Sequence, residues 1–133
     1  MSKFNPINDV FTNWNKPLYI ASKLDPQLDD YGNEIVVYDK PFYFGKVNYQ
    51  PLTTKQLEAY MKEYGETESS VFSCLIDYKD RNRIKEFDKA YLNGAKPDDE
   101  KVNGTNANYL VRAVKPQNTK VMVLFEKLIR EEN

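Results

Sequence analysis

Turn signals recur at short intervals along this chain, and they constrain it more than any other feature. Pro26 and the run Asp29-Asp30-Tyr31-Gly32-Asn33 come first. Asp39-Lys40-Pro41, Gly65 and finally Pro116-Gln117-Asn118-Thr119 come after. Between these breaks the apolar residues mostly alternate with polar ones, which is the period of a half-buried strand. Leu18 and Ile20 alternate with Tyr19 and Ala21, and the β-branched stretch Glu34–Tyr38 returns after the turn. In the next segment, Phe42, Phe44, Lys46 and Asn48 are expected on one face and Tyr43, Gly45, Val47 and Tyr49 on the other. Gly45 inside that segment predicts a bulge or bend. Val71–Tyr78 is apolar on both faces and is expected to be central. The charged stretch Asp80–Asp88 is expected to be a loop or a turn of helix anchored by Ile84 and Phe87. Ala90–Leu92, Tyr109–Lys115 and Lys120–Ile129 complete the set of strands, the last with Val121, Val123 and Phe125 opposite Met122 and Leu124.

One segment breaks the pattern. Thr53 with Gln56 three residues on forms a capping-box signature. Leu57, Tyr60, Met61 and Tyr64 then recur at helical spacing, and Gly65 is placed to stop the helix. The expected fold is therefore mainly β. It is a small barrel or sandwich of roughly six or seven strands with one short α-helix over about 53–64. With 133 residues there is room for one domain, expected over 17–130, and an N-terminal arm over 1–16. In that arm Phe4, Ile7, Phe11 and Trp14 share a helical face, with Asn5 and Pro6 suited to start a short helix. An extended arm is the alternative. Either way these side chains must cover the chain's own core or dock on a neighbouring subunit.

The stretch over about 95–108 is poor in apolar groups and is expected to be a long flexible loop. Its charged residues Lys96, Asp98, Asp99, Glu100 and Lys101 are candidates for contact with a lumen or a neighbour. The Asn103-Gly104-Thr105 sequon reads as a turn.

Residue types exclude much chemistry. The chain has no histidine and one cysteine, Cys74. Ser–His and Cys–His catalysis, disulfides within the chain and the usual zinc frameworks are thereby removed. Neither glycine-rich phosphate motif is present. The acidic pairs Asp29/Asp30 and Asp98/Asp99 lie in turn-like segments without metal-ligand spacing. No catalytic residue, cofactor or metal is expected, and the chain reads as a non-enzyme. Asp77 is expected on an outer face or, if buried, beside a partner such as Arg112. Net charge is −1 and the pI about 5.6, so no basic field is available to grip a phosphate backbone. No apolar run reaches membrane-span length, and the first residues lack a signal-peptide layout, so synthesis in a cytoplasm is expected. Ten tyrosines and seven phenylalanines are a large aromatic share for strands that cover so small a core. That share points to contact surfaces, with Tyr60 and Tyr64 joining the four arm residues as candidates.

The order of the pieces resembles the head-closure (head–tail joining) proteins of tailed bacteriophages. The matching residues are Asp30–Glu34 in the first hairpin, Phe72, Cys74, Ile76, Asp77 and Tyr78 in the long strand, Tyr91–Gly94 at a corner, and Tyr109–Val114. Basic residues Lys79, Arg81 and Arg83 come after the long strand, as is usual in that family. The similarity spans about Leu18 to Leu128. The Ala95–Asn108 insertion and the aromatic arm depart from the family's pattern. This resemblance implies a virion protein, made in the host cytoplasm, that assembles as a hexameric or dodecameric ring in the neck. It implies portal or adaptor and tail proteins as partners, double-stranded DNA passing through the lumen without sequence-specific binding, and no membrane. A tail-terminator or adaptor subunit, or a monomeric barrel that binds single-stranded nucleic acid or peptide, are the alternatives.

Overall fold

The computed structural model describes residues 15–67, 69–97 and 106–128. Nine strands are found among them: β1 (Lys16–Ala21), β2 (Gln27–Leu28), β3 (Glu34–Ile35), β4 (Phe42–Val47), β5 (Tyr49–Pro51), β6 (Val71–Asp77), β7 (Lys89–Tyr91), β8 (Tyr109–Gln117) and β9 (Lys120–Lys127). A single helix among the described residues, α1 (Thr54–Tyr64), lies between β5 and β6, and a 3-10 turn over Tyr78–Asp80 succeeds β6. The fold is mainly β, as expected.

Seven strands form one sheet in the order β4-β1-β7-β8-β9-β6-β5, and β2 and β3 pair separately as a hairpin. The two edges of the large sheet, β4 and β5, are consecutive pieces of chain separated only by Asn48. One continuous segment thus pairs with β1 through its first half and with β6 through its second. A sheet whose opposite edges are the same strand must curl round on itself, so the architecture is a barrel left partly open. Pairing with β5 ends at Cys74; beyond it Leu75–Asp77 pair only with β9. The expectation that β6 is central is corrected here. It lies next to the sheet's edge, and the middle strand is β8.

Two bulges decide which side chains enter the barrel. In β4 the register slips opposite Leu18/Tyr19, at Phe44–Gly45, and Gly45 takes φ 137°, a conformation that disfavours a side chain. An extra residue exchanges the two faces of a strand. Phe42 and Phe44 before the bulge, and Val47 and Tyr49 after it, therefore all pack on the same core. The strict alternation expected from the sequence fails for that reason, while the bulge itself was legible in Gly45. In β8 the slip falls at Arg112, between Val111, which packs inside the barrel, and Ala113, which packs outside it.

The core has two layers. Leu18, Ile20, Ile76, Val111, Val123 and Phe125 are among those that fill the barrel. A smaller cluster of Tyr60, Val71, Ala113 and Leu124 joins α1 to the barrel's outer wall, with Leu57, Met61 and Met122 against it. This explains why β9 is apolar on both faces: Val121, Val123 and Phe125 point in, and Leu124 and Met122 meet the helix. The capping box at Thr53 and Gln56 forms as expected, and Gly65 ends the helix at φ 95°.

Most buried polar side chains are paired; among the described residues Arg112 Nε has no hydrogen-bond partner, and Glu126 lies 3.8 Å from it. Tyr49 and Tyr109 put their rings edge-on to Phe72, and their hydroxyls accept hydrogen bonds from the backbone N–H and side-chain amide of Asn93 at 2.7 and 3.1 Å. Burial raises the pKa of both phenols. Asp88 is buried and accepts from the backbone N–H groups of Lys23 and Lys85 at 2.8 and 2.9 Å, which ties the segment after β6 to the end of β1. Its carboxyl is pushed above the ordinary range by burial, against the pull of those two hydrogen bonds.

The turn before β9 is tighter than expected. β8 runs on through Pro116 to Gln117, so the reversal is made by Asn118 and Thr119, with Asn118 at φ 48°. Pro116 sits beyond the reach of β7, on a stretch with one free side, where a missing N–H is tolerated.

Candidate protein–protein interface

The β2–β3 hairpin is built by its turn. Asp29 Oδ1 accepts hydrogen bonds from the backbone N–H of Tyr31 (2.9 Å) and of Asn33 (2.8 Å), and Gly32 takes φ 81°. The Asn33 amide, and after it that of Tyr31, holds the Asp29 carboxyl below its ordinary pKa. The hairpin's base is also fixed. Leu24 N–H donates to Val37 O, Asp39 N–H donates to Ser22 O, each at 2.8 Å, and the Tyr38 hydroxyl donates to Phe87 O at 3.0 Å. A hydrogen-bonded base thus carries a two-stranded tongue whose apolar side chains stay exposed among the described residues. Leu28 is 69% exposed and Tyr31 91% exposed, and Ile35 and Val36 also stand in solvent. Asp25, Asp29, Asp30 and Glu34 surround them, with no basic residue between Leu24 and Val36.

Phe87 extends this patch at the hairpin's base. It is 44% exposed and adopts φ 71°, a left-handed conformation that is an outlier for a bulky side chain. Its N–H is bonded to Val111 O and its carbonyl to Tyr38, so the backbone on both sides enforces the strain that turns the ring outward. Its partner in the expected anchoring role, Ile84, is buried in the barrel core; Phe87 is not.

A second surface lies at the other end of β1, beside β6. Leu75 is 56% exposed. With Met122 it floors a cleft of about 550 Å³ whose rim carries the amide side chains of Asn48, Gln50, Gln56 and Gln117. Beyond Leu75, Asp77 pairs with Lys120 at 2.5 Å, and that partner holds its carboxyl below the ordinary pKa. Asp77 therefore sits on the outer face, with Lys120 rather than Arg112 beside it. Asp80 pairs with Arg83 at 3.4 Å, while Lys79 and Arg81 form no ion pair among the described residues. Arg81 lies over the Tyr78 ring, and Arg83 lies over Phe44 with 4.4 Å to the ring centroid. Those ring faces are covered by the chain's own arginines and are not open platforms for bases.

The residues singled out from the sequence separate into three groups. Phe4, Ile7, Phe11, Trp14, Asp98, Asp99, Glu100 and Lys101 lie outside the described residues. Tyr60 is spent internally. It is 4% exposed, and its hydroxyl donates to Glu126 at 2.9 Å; burial, and after it that bond, drives the phenol's pKa strongly upward. It holds α1 to the barrel and is not available to a partner. Tyr64 is half-buried beside it, with Arg112 and Lys115 over its ring. Lys96 is exposed, and its carbonyl accepts from the Asn106 side chain. The far end of the expected loop is fixed: Ala107 is fully buried, and the Asn108 side chain exchanges two hydrogen bonds with the backbone of Leu92. Cys74 is buried, and burial raises its thiol to about 12.

The sequence pattern missed Leu28, Ile35, Val36, Leu75 and Phe87 as surface residues. The available signal was brevity. A strand pair two residues long on each side has no second layer to bury Leu28 and Ile35 against. Among the described residues, no group of three or more Cys, Asp or Glu is arranged to hold a metal.

Comparison with known proteins finds no match: no family model, no curated protein and no solved structure matches the chain.

Proposed function

We propose that this chain is a structural subunit of the head–tail connector of a tailed bacteriophage. Copies form a ring in the neck between the portal complex and the tail, and double-stranded DNA passes through the lumen. The observation that carries this reading is the projecting hairpin. Its apolar side chains are held in water by a hydrogen-bonded base, next to a barrel whose core is already complete. Burying one such side chain is worth about 1.5–3 kcal/mol. A surface that exposes several together fits a protein that works covered by neighbours. The order of strands, turns and basic residues that resembles head-closure proteins supports the same role. So does the net charge of −1, because a lumen that passes DNA works best without gripping phosphates.

The test is the mass of the purified chain alone and after mixing with portal-bearing heads. Stable association with the portal end is the expected result. No association, together with salt-sensitive binding of a labelled single-stranded oligonucleotide, would replace the connector role with a nucleic-acid-binding one.

A further inference from the structure

The exposed hairpin and the cleft beside Leu75 sit at opposite ends of β1. That strand starts at Lys16, paired with Val47 next to the cleft's Asn48, and ends at Ala21, paired with Lys89. Five residue steps of a strand separate these ends by about 16 Å. The hairpin then projects further, so Tyr31 cannot reach the cleft of its own chain.

We propose that Tyr31 of one copy inserts into the cleft beside Leu75 of the next copy, joining subunits head to tail. Three observations support it. The first is shape: Tyr31 is the most exposed of the large apolar side chains, at the tip of a turn, and the cleft offers room for a ring above Leu75 and Met122. The second is polarity. The rim amides can bond the phenol hydroxyl, while the apolar floor takes the ring, which is how tyrosine anchors interfaces. The third is charge. The hairpin brings Asp25, Asp29, Asp30 and Glu34, and the far side offers Lys79 and Arg81, whose neighbouring acids Asp77 and Asp80 are already held by Lys120 and Arg83. Two different patches on one chain make a heterologous contact, which closes into a ring if the rotation permits. The connector role is used here only for the expectation that copies meet.

Disulfide trapping in the full chain tests it, because trapping registers weak contacts. Asp30 and Gln117 are both exposed, one beside the knob and one on the rim. Native Cys74 can remain, since it is buried. The variants Asp30→Cys and Gln117→Cys should each stay monomeric under oxidation, and their mixture should give a dimer and nothing larger. A chain carrying both substitutions should give a ladder of multimers, and adding Tyr31→Ala should reduce that ladder at least tenfold. Dimers from Asp30→Cys alone would show a symmetric hairpin contact and overturn the proposal. So would a mixture that never cross-links, or a ladder indifferent to Tyr31→Ala. Binding of the same variants to portal-bearing heads separates the two claims. Heads bound without cross-links would refute the contact but not the connector role, and cross-links without head binding would do the reverse.

Discussion

The outer wall of β9 and the β2–β3 hairpin carry the same kind of side chain and meet opposite fates. Leu124 and Met122 face away from the barrel and α1 lies over them, whereas Leu28 and Ile35 project from opposite faces of the hairpin and no described residue covers either. The difference lies in the neighbouring pieces of chain. A capped, amphipathic helix is supplied for one apolar face. After the hairpin the chain turns at Asp39-Lys40-Pro41 and goes straight back to the barrel. Apolar residues with a cover stabilise the fold; those without one are free to stabilise an assembly. Substitutions in the two regions should therefore separate stability from association.

The largest effect is expected inside the barrel. Phe125→Ala should cost about 3–5 kcal/mol in denaturant unfolding, because a fully buried ring leaves a cavity. Next is Asp88→Ala, which strips the acceptor from two backbone N–H groups at the barrel's end and should cost about 2–4 kcal/mol. The same residue has a pH signature. Its folded-state pKa is raised above the ordinary 3.8, so its contribution is fully present below that value and is lost as pH rises through the folded value. Asp29, Asp77 and Glu63, which lies on α1 and accepts from Lys115 at 2.6 Å, have lowered values and act in the opposite sense, contributing above the ordinary carboxylate value and losing that contribution as pH falls. Unfolding midpoints of the wild type and Asp88→Asn across the acid range should thus differ by a slope that falls with pH.

At Phe87 the comparison sharpens. Phe87→Gly should be more stable than Phe87→Ala by about 1–2 kcal/mol, since glycine relieves the left-handed strain and alanine keeps it. A smaller gap would mean that the backbone relaxes there. The smallest effect is expected on the hairpin: Leu28→Ser or Ile35→Ser should leave the isolated chain's stability within about 0.5 kcal/mol. A loss as large as that of Phe125→Ala would show that the hairpin belongs to the core after all.

Much of the fold was legible because its signals are local. The capping box at Thr53, the stop at Gly65, the two-faced β9 and the bulge at Gly45 each need only a few neighbouring residues to specify them. The illegible parts depend on distant pairing. The bulge at Arg112 has no glycine to mark it. The placement of β6 near the sheet's edge results from how one segment divides its two halves between β1 and β6. Tyr60 and Tyr31 illustrate the same limit for the candidate interface. Both are tyrosines in strongly patterned segments, and only the packing shows that Glu126 and the barrel wall take the first while the second stands free.

Oxidative footprinting of Tyr31, read by mass spectrometry in the free chain and in head particles that carry it, bears most directly on the hairpin as an assembly surface. Strong labelling in the free chain and protection in the particle is the expected result. Equal labelling in both would contradict it.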